Sequence, residues 1–256
     1  MKIARFATPG EDPRFGVVDG EDLVVLAGDP MYSGYETTGE RVSLRSAKVL
    51  APVIPRSKVV GIGLNYYDHA DEMGQEAPEE PVLFLKPNTT VIGLGDSIQI
   101  PPVEGEIHLE GELAIVIGSI AKRIRPEDFA DVVFGYTIAN DVTARGIQEI
   151  DGQWTRAKSY DTFCPLGPYI ETELDWTDLK IQSRVDGELL QNESTQQMIH
   201  KIPELVAFAS EVFTLLPGDV ILTGTPAGVG PFVAGQTVEI AIEGLGSLIN
   251  PARSRT

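Results

Sequence analysis

Glu110 and Glu112 flank Gly111 at the head of an apolar run, Leu113-Ala114-Ile115-Val116-Ile117, and Asp141 closes a second run, Tyr136-Thr137-Ile138-Ala139-Asn140. On a strand, residues two apart share a face and lie roughly 6.6 Å apart along the chain, so both glutamates point the same way. His108 joins them if the strand reaches that far back. Should Asp141 converge on the pair, like charges about 4 Å apart repel by roughly 4 kcal/mol at an effective dielectric near 20. A proton or a cation must then relieve the repulsion. An all-oxygen donor set with no thiolate suits Mg²⁺, Mn²⁺ or Ca²⁺ better than Zn²⁺. Three protein ligands also leave positions open, as a catalytic metal requires. On spacing alone, however, Glu-x-Glu on a strand is more often a solvated edge, and a lone Asp141 serves equally as a cap.

Other side chains could supply the remaining chemistry. His69 and Glu72 stand three apart in a short predicted helix, where their side chains can meet. A histidine oriented by a carboxylate is a general-base pair; an inconsequential exposed pair is the plainer alternative. Lys158 follows Asp141 by 17 residues and could neutralise developing negative charge if it faces the same place. Lys86 ends a predicted strand before Pro87. Without further context both lysines read as surface groups or stems lying along the core edge. Arg145 and Gln148 share a face with Asp141 if a helix starts there. Arg145 can then bind a carboxylate in bidentate fashion, or pair with Glu110 or Glu112 instead. Thr223-Gly224-Thr225-Pro226-Ala227-Gly228 follows a predicted strand, and its glycines let backbone N–H groups approach an anion. It lacks the Gly-Lys-Ser/Thr of a P-loop. Gly224 and Thr225 are therefore read as a carboxylate cradle, with a plain turn as the alternative. His200 has no such company and is read as a surface residue.

These residues must be positioned by a chain of 256 residues rich in Gly and Pro, with few helix-period apolar runs. Lys2 to Ala7, Phe15 to Val18 and Asp22 to Leu26 read as strands, the last two joined at Asp19-Gly20, a hairpin signal. Pro52 and Pro55 mark a boundary, which divides the chain into a small N-terminal β domain, residues 1–55, and a second domain, residues 56–256. Beyond it, Val59 to Gly63, Pro81 to Lys86, Glu112 to Ile117, Phe134 to Asn140, Val220 to Thr223 and Val238 to Ile242 read as strands. Asp68 to Met73 is a brief helix, and Arg125-Pro126-Glu127-Asp128 starts another. Ile202 to Phe213 is the strongest amphipathic helix, with Ile202, Leu205, Phe208 and Val212 on one face. The fold class is α+β, dominated by strands.

The formal net charge is −18, which repels a phosphate backbone and argues against nucleic-acid binding. A chain so acidic needs a local positive site to handle an anionic substrate, and a bound cation supplies one. Cys164 is the only cysteine, so no intrachain disulfide forms. No apolar run is long enough for a membrane span, and a cytoplasmic protein is the expectation.

Several stretches together resemble the fumarylacetoacetate hydrolase family. They are Gly63-Leu64-Asn65-Tyr66 with His69, Phe84-Leu85-Lys86-Pro87, Glu110-Gly111-Glu112-Leu113, Asn140-Asp141-Val142-Thr143-Ala144-Arg145, Lys158-Ser159-Tyr160-Asp161-Thr162-Phe163, and Leu222 through Gly230. They occur in the family's order between about Lys58 and Asn250; Leu109 departs from the aromatic residue many members carry there. The resemblance implies a mixed β-sandwich or β-roll catalytic domain, a homodimer, and one Mg²⁺ or Mn²⁺ per chain held by Glu110, Glu112 and Asp141. It also implies a lid carrying His69 and Glu72, and active-site lysines at Lys158 and Lys86.

The expected activity is metal-dependent cleavage of a carbon–carbon bond in a small 2-oxo acid, by oxaloacetate-type decarboxylation or acylpyruvate hydrolysis through an enolate. His69, Glu72 and Lys158 would be catalytic, and Lys86, Arg145, Gln148, Gly224 and Thr225 would bind substrate. An isomerase or decarboxylase of the 2-hydroxyhepta-2,4-diene-1,7-dioate type is the alternative within the family. A non-catalytic metal or ligand binder on the same scaffold is the alternative outside it.

Overall fold

The computed structural model describes residues 1–255 and is dominated by strands. The largest sheet runs, edge to edge, through Thr37–Ser43, Asp22–Leu26, Arg14–Asp19, Lys2–Ala7, Cys164–Glu171, Val133–Asn140, Gly111–Ile117, Val220–Leu222, Val59–Gly63 and Val82–Lys86. The N-terminal strands extend this sheet, because Ile3 pairs with Ile170. The hairpin signal at Asp19-Gly20 is met: Asp19 pairs with Asp22, and Gly20 takes the positive φ such a turn needs. A five-stranded sheet packs against the large one. Its order is Glu188–Ser194, Lys180–Val185, Thr237–Ile242, Gly246–Ser254 and Ile98–Ile100. A three-stranded sheet joins Thr143–Ala144, Ile107–Leu109 and Gly230–Pro231. Among the described residues no helix is long and apolar enough to cross a membrane.

The strand Gly111–Ile117 is buried along its whole length, which explains its near-continuous apolar run. Its two faces feed two cores. Leu113, Ile115 and Ile117 pack with Ile181, Ile240 and Leu248 of the five-stranded sheet. Ala114 and Val116 pack with Val59, Ala139 and Leu166. Glu112 shares the second face by alternation, so a carboxylate begins a row of small apolar side chains.

The helix Ile202–Val212 lies where its pattern places it, entered through Pro203, with the Glu204 carboxylate accepting the Lys201 N–H. Its buried face is Ile202, Leu205, Val206 and Ala209, while Val212 is exposed. The stripe is thus rotated from the expected one and ends a turn earlier. The start signal at Arg125-Pro126 yields only a short 3-10 segment, Pro126–Asp131. His108 is also corrected. The chain breaks at Glu110, Ile107–Leu109 belongs to the three-stranded sheet, and the His108 ring turns to Glu106. His200 is largely covered, its ring nitrogen facing the Pro78 carbonyl and its N–H donating to Asn65.

Candidate metal and substrate site

Antiparallel register assembles the acidic cluster. Gly111 pairs with Asn140 and Glu112 with Ala139, so Asp141, one step past its strand, arrives opposite Glu110 and donates its N–H to the Glu110 carbonyl. Ligand oxygens of Glu110, Glu112 and Asp141 lie within 4.8 Å of one another, and all three residues are buried.

Cations surround two of the three. Lys158, at the end of the short helix Thr155–Lys158, is 3% exposed. Its Nζ donates to Glu110 Oε2 at 2.8 Å, Asp141 Oδ2 at 2.5 Å and Thr143 Oγ1 at 2.8 Å. Lys86 donates to the other oxygen of Asp141. Arg145 Nη2 sits 2.6 Å from Glu110 Oε1, an ion pair without the alignment of a hydrogen bond, and its Nη1 donates to Gln148 at 2.9 Å. Burial alone would strip the Lys158 proton, but Asp141 and Glu110 outweigh it and hold the ammonium above its ordinary range. Burial would likewise raise the Glu110 carboxyl; Lys158, Arg145 and His69 outweigh it and hold it far below.

Glu112 differs. Its Oε2 accepts only the Gly224 N–H, at 2.7 Å. Burial, then the charges of Asp141 and Glu110, push its carboxyl well above the ordinary range. A buried carboxylate that direct cation pairing leaves out, next to two others, is the donor set a hard divalent cation satisfies. The residues present therefore fit Mg²⁺ or Mn²⁺.

A cavity of about 260 Å³ opens over the cluster, lined by Glu110, Glu112, His69, Arg145, Gln148 and Lys158 among others. His69, on the helix Tyr67–Glu72, is 5% exposed, and its Nδ1 lies 3.0 Å from Glu72 Oε2. An ionised carboxylate only accepts, so Nδ1 carries the hydrogen, and Nε2 is the nitrogen left free to exchange a proton. The other Glu72 oxygen accepts the Gly228 N–H at 3.0 Å. One carboxylate thus orients the histidine and ties its helix to the glycine loop.

Of the residues read from sequence, His69, Glu110, Glu112, Arg145, Gln148, Lys158 and Thr225 line this cavity. Lys86 and Gly224 lie behind the carboxylates, on Asp141 and Glu112. The Thr225 hydroxyl donates to the Gly111 carbonyl. Trp154, which sequence reasoning did not single out, builds one wall with Gly63 and Phe84. The ring of Trp154 rests where a Cβ on Gly63 would be, 2.3 Å away, and meets Phe84 edge-on with ring centroids 5.6 Å apart. Lys158 Nζ lies 5.0 Å from the centre of the Phe84 ring and 5.9 Å from that of Trp154. Only the short distance between Gly63 and a distant tryptophan reveals this wall, and no sequence spacing encodes that.

Comparison with known proteins places the chain in a family. The family model described as fumarylacetoacetate (FAA) hydrolase C-terminal matches residues 58–253, and one described as Rv2993c-like, N-terminal matches residues 1–52. The crystal structure of a 5-carboxymethyl-2-hydroxymuconate delta-isomerase from Mycobacterium smegmatis is 45% identical, covers 100% of both chains and superposes with a TM-score of 0.93. The mitochondrial oxaloacetate tautomerase fahd2 of Xenopus laevis is 42% identical over 86% of this chain and 72% of its own. A maleylpyruvate hydrolase from Sphingobium sp. SYK-6, solved with manganese(II) and pyruvate, is 32% identical over 100% of both chains, with a TM-score of 0.84.

Proposed function

This chain belongs to the fumarylacetoacetate hydrolase family, and on that premise we propose that it is a Mg²⁺- or Mn²⁺-dependent enzyme that removes and returns a proton at C3 of a small 2-oxo dicarboxylic acid. The observation that carries this is a cavity walled by His69, which Glu72 orients, and floored by Glu110 and Glu112, two of three buried carboxylates that meet with Asp141.

Glu110, Glu112 and Asp141 would hold the metal, which when bound supplies a Lewis acid toward the substrate's carboxylate and keto oxygens. His69 Nε2 takes the C3 proton, and Glu72 fixes the tautomer and stabilises the imidazolium that results. The Lys158 ammonium, kept protonated by Asp141 and Glu110, faces the negative charge that develops on the substrate oxygen. Lys86 neutralises Asp141 from behind. Arg145 and Gln148, at the cavity wall, bind the far carboxylate. The helix carrying His69 forms one wall of the cavity.

Carbon–carbon cleavage is the second reading, favoured by the maleylpyruvate hydrolase among the similar structures. There the same base takes a proton from water, the water oxygen bonds to the acyl carbonyl carbon, and the carbon–carbon bond breaks to give a carboxylic acid and an enolate that is then protonated at carbon. The proton-only outcome leads because the isomerase and tautomerase are closer in sequence. We also propose that residues 1–55 and 56–256 are two domains, and that the protein is a homodimer, which light scattering on the eluted protein would read.

The test is an ultraviolet assay of oxaloacetate enol–keto exchange and of pyruvate release from acylpyruvates, with EDTA or with Mn²⁺. Glu112→Ala is expected to lose Mn²⁺ binding, and His69→Ala to bind Mn²⁺ while losing turnover. Wild-type activity in Glu112→Ala, or in EDTA, would overturn the metal assignment. Mn²⁺ binding with no turnover on any 2-oxo acid would leave a non-catalytic binder.

A further inference from the structure

We propose that Gln191 is a positioning residue that ties the segment bearing Glu110 and Glu112 to the loop that latches the His69 helix. It lies on Glu188–Ser194 of the five-stranded sheet, fully buried and outside the cavity lining. Every polar atom of its amide is used. Oε1 accepts the Gly111 N–H at 2.9 Å; Nε2 donates to Thr225 Oγ1 and to the Pro226 carbonyl, both at 2.7 Å. The orientation of the amide is fixed by its partners, since an N–H needs an acceptor and a carbonyl needs a donor.

Gly111 is the residue between the two glutamates. Its N–H is held by Gln191 and its carbonyl by the Thr225 hydroxyl at 2.9 Å, so both of its polar groups are gripped. A Cβ there would come within 3.1 Å of Gln191 Oε1 and 2.9 Å of Ile240, so the grip needs glycine. The same amide fixes Thr225 and Pro226, and three residues after Thr225 the Gly228 N–H holds Glu72. The register of the Lys180–Val185 and Glu188–Ser194 pair shifts between Ser183 and Arg184: Ser183 faces Gln191 and Arg184 faces Leu189, leaving Leu190 extra. Such a bulge re-aims the neighbouring side chain. Leu190 also presses its carbonyl against Gly228, 2.4 Å from where a Cβ would stand. One irregularity in a sheet remote from the chemistry therefore sets both the carboxylate spacing and the latch.

The inference rests on the metal reading for its first half only. The test compares wild type with Gln191→Met, which keeps the volume and removes the amide, and with Ile181→Val, a mild core variant in the same sheet. Mn²⁺ affinity is measured calorimetrically, and amide hydrogen exchange of residues 67–72 by mass spectrometry without metal. Gln191→Met is expected to bind Mn²⁺ about tenfold or more weakly and to exchange those amides severalfold faster, with Ile181→Val unchanged in both. If Gln191→Met does not fold, Thr225→Val removes the Gln191–Thr225 and Thr225–Gly111 hydrogen bonds and is expected to move both measurements in the same direction by less. Wild-type values for either measurement, at a lowered melting temperature, would reduce Gln191 to a core amide and overturn the linkage. If wild type binds no Mn²⁺, the proposed function falls, and the exchange measurement alone decides whether Gln191 holds the latch.

Discussion

Glu112 is the residue on which the electrostatics of the site turn. Its folded pKa lies above its unfolded value, by burial and by repulsion from Asp141 and Glu110. For a carboxyl raised in this way, stabilisation is complete below the unfolded value and is lost as pH rises through the folded one. The metal-free protein should therefore lose stability as pH climbs above about 4.3, the ordinary glutamate value. Glu112→Gln keeps an acceptor for the Gly224 N–H and removes the charge. It is expected to flatten that slope and to raise stability in EDTA at neutral pH by about 1 kcal/mol or more. Thermal melts from pH 5 to 8 in EDTA, about the range that matters here, check this; a slope equal to wild type would sink it. Lys158 is the converse case. Lys158→Met removes the cation that Glu110 and Asp141 share, leaving each with one partner, Arg145 and Lys86, and should cost about 3 kcal/mol in a urea melt of the metal-free protein. A cost below about 1 kcal/mol would mean that the pair is solvated.

The elements show what was legible in the sequence and what was not. Strands with a period-two or continuous apolar pattern lie where the pattern places them, Lys2–Ala7, Gly111–Ile117 and Thr237–Ile242 among them. The Thr37–Ser43 edge strand is nearly all exposed and polar, so nothing in its composition marks it; pairing to Asp22–Leu26 makes it a strand. Of the site, the carboxylates were legible because they sit at strand ends: Glu110 and Glu112 on either side of the start of Gly111–Ile117, and Asp141 just past Val133–Asn140. Gln191 was not, because a β-bulge aims it, and a bulge is a property of the pairing rather than of the strand's own residues. The aromatic wall was hidden for the same reason. Gly63 opens a slot on Val59–Gly63 that Trp154 fills from another element. Gly63→Ala should displace that ring, cost about 1–3 kcal/mol by overpacking, shift tryptophan fluorescence and raise KM. Unchanged fluorescence would show that the ring does not rest on Gly63.

At the scale of the whole molecule, a net charge of −18 surrounds a site that must admit an anion. Around the acidic cluster the buried charges cancel: Glu110, Glu112 and Asp141 contribute −3 and Lys86, Lys158 and Arg145 +3, so a divalent cation leaves an excess of +2 at the cavity floor, with the carboxylates of Glu72 and Glu149 farther out. Near and far fields respond differently to salt. The cations of the site act over hydrogen-bond distances in a partly enclosed cavity, well inside the screening length of about 8 Å at physiological ionic strength. Repulsion from the rest of the surface acts over tens of ångströms; it is felt where the screening length is about 30 Å, near 0.01 M salt, and is suppressed at 0.15 M. Added salt should therefore remove the penalty and leave the attraction. KM for oxaloacetate is expected to fall as NaCl rises from about 0.01 to 0.15 M, with kcat nearly unchanged. Steady-state kinetics at saturating Mn²⁺ measure this directly. A KM that rises steadily over the same range would mean that exposed cations, rather than the enclosed ones, draw the substrate in.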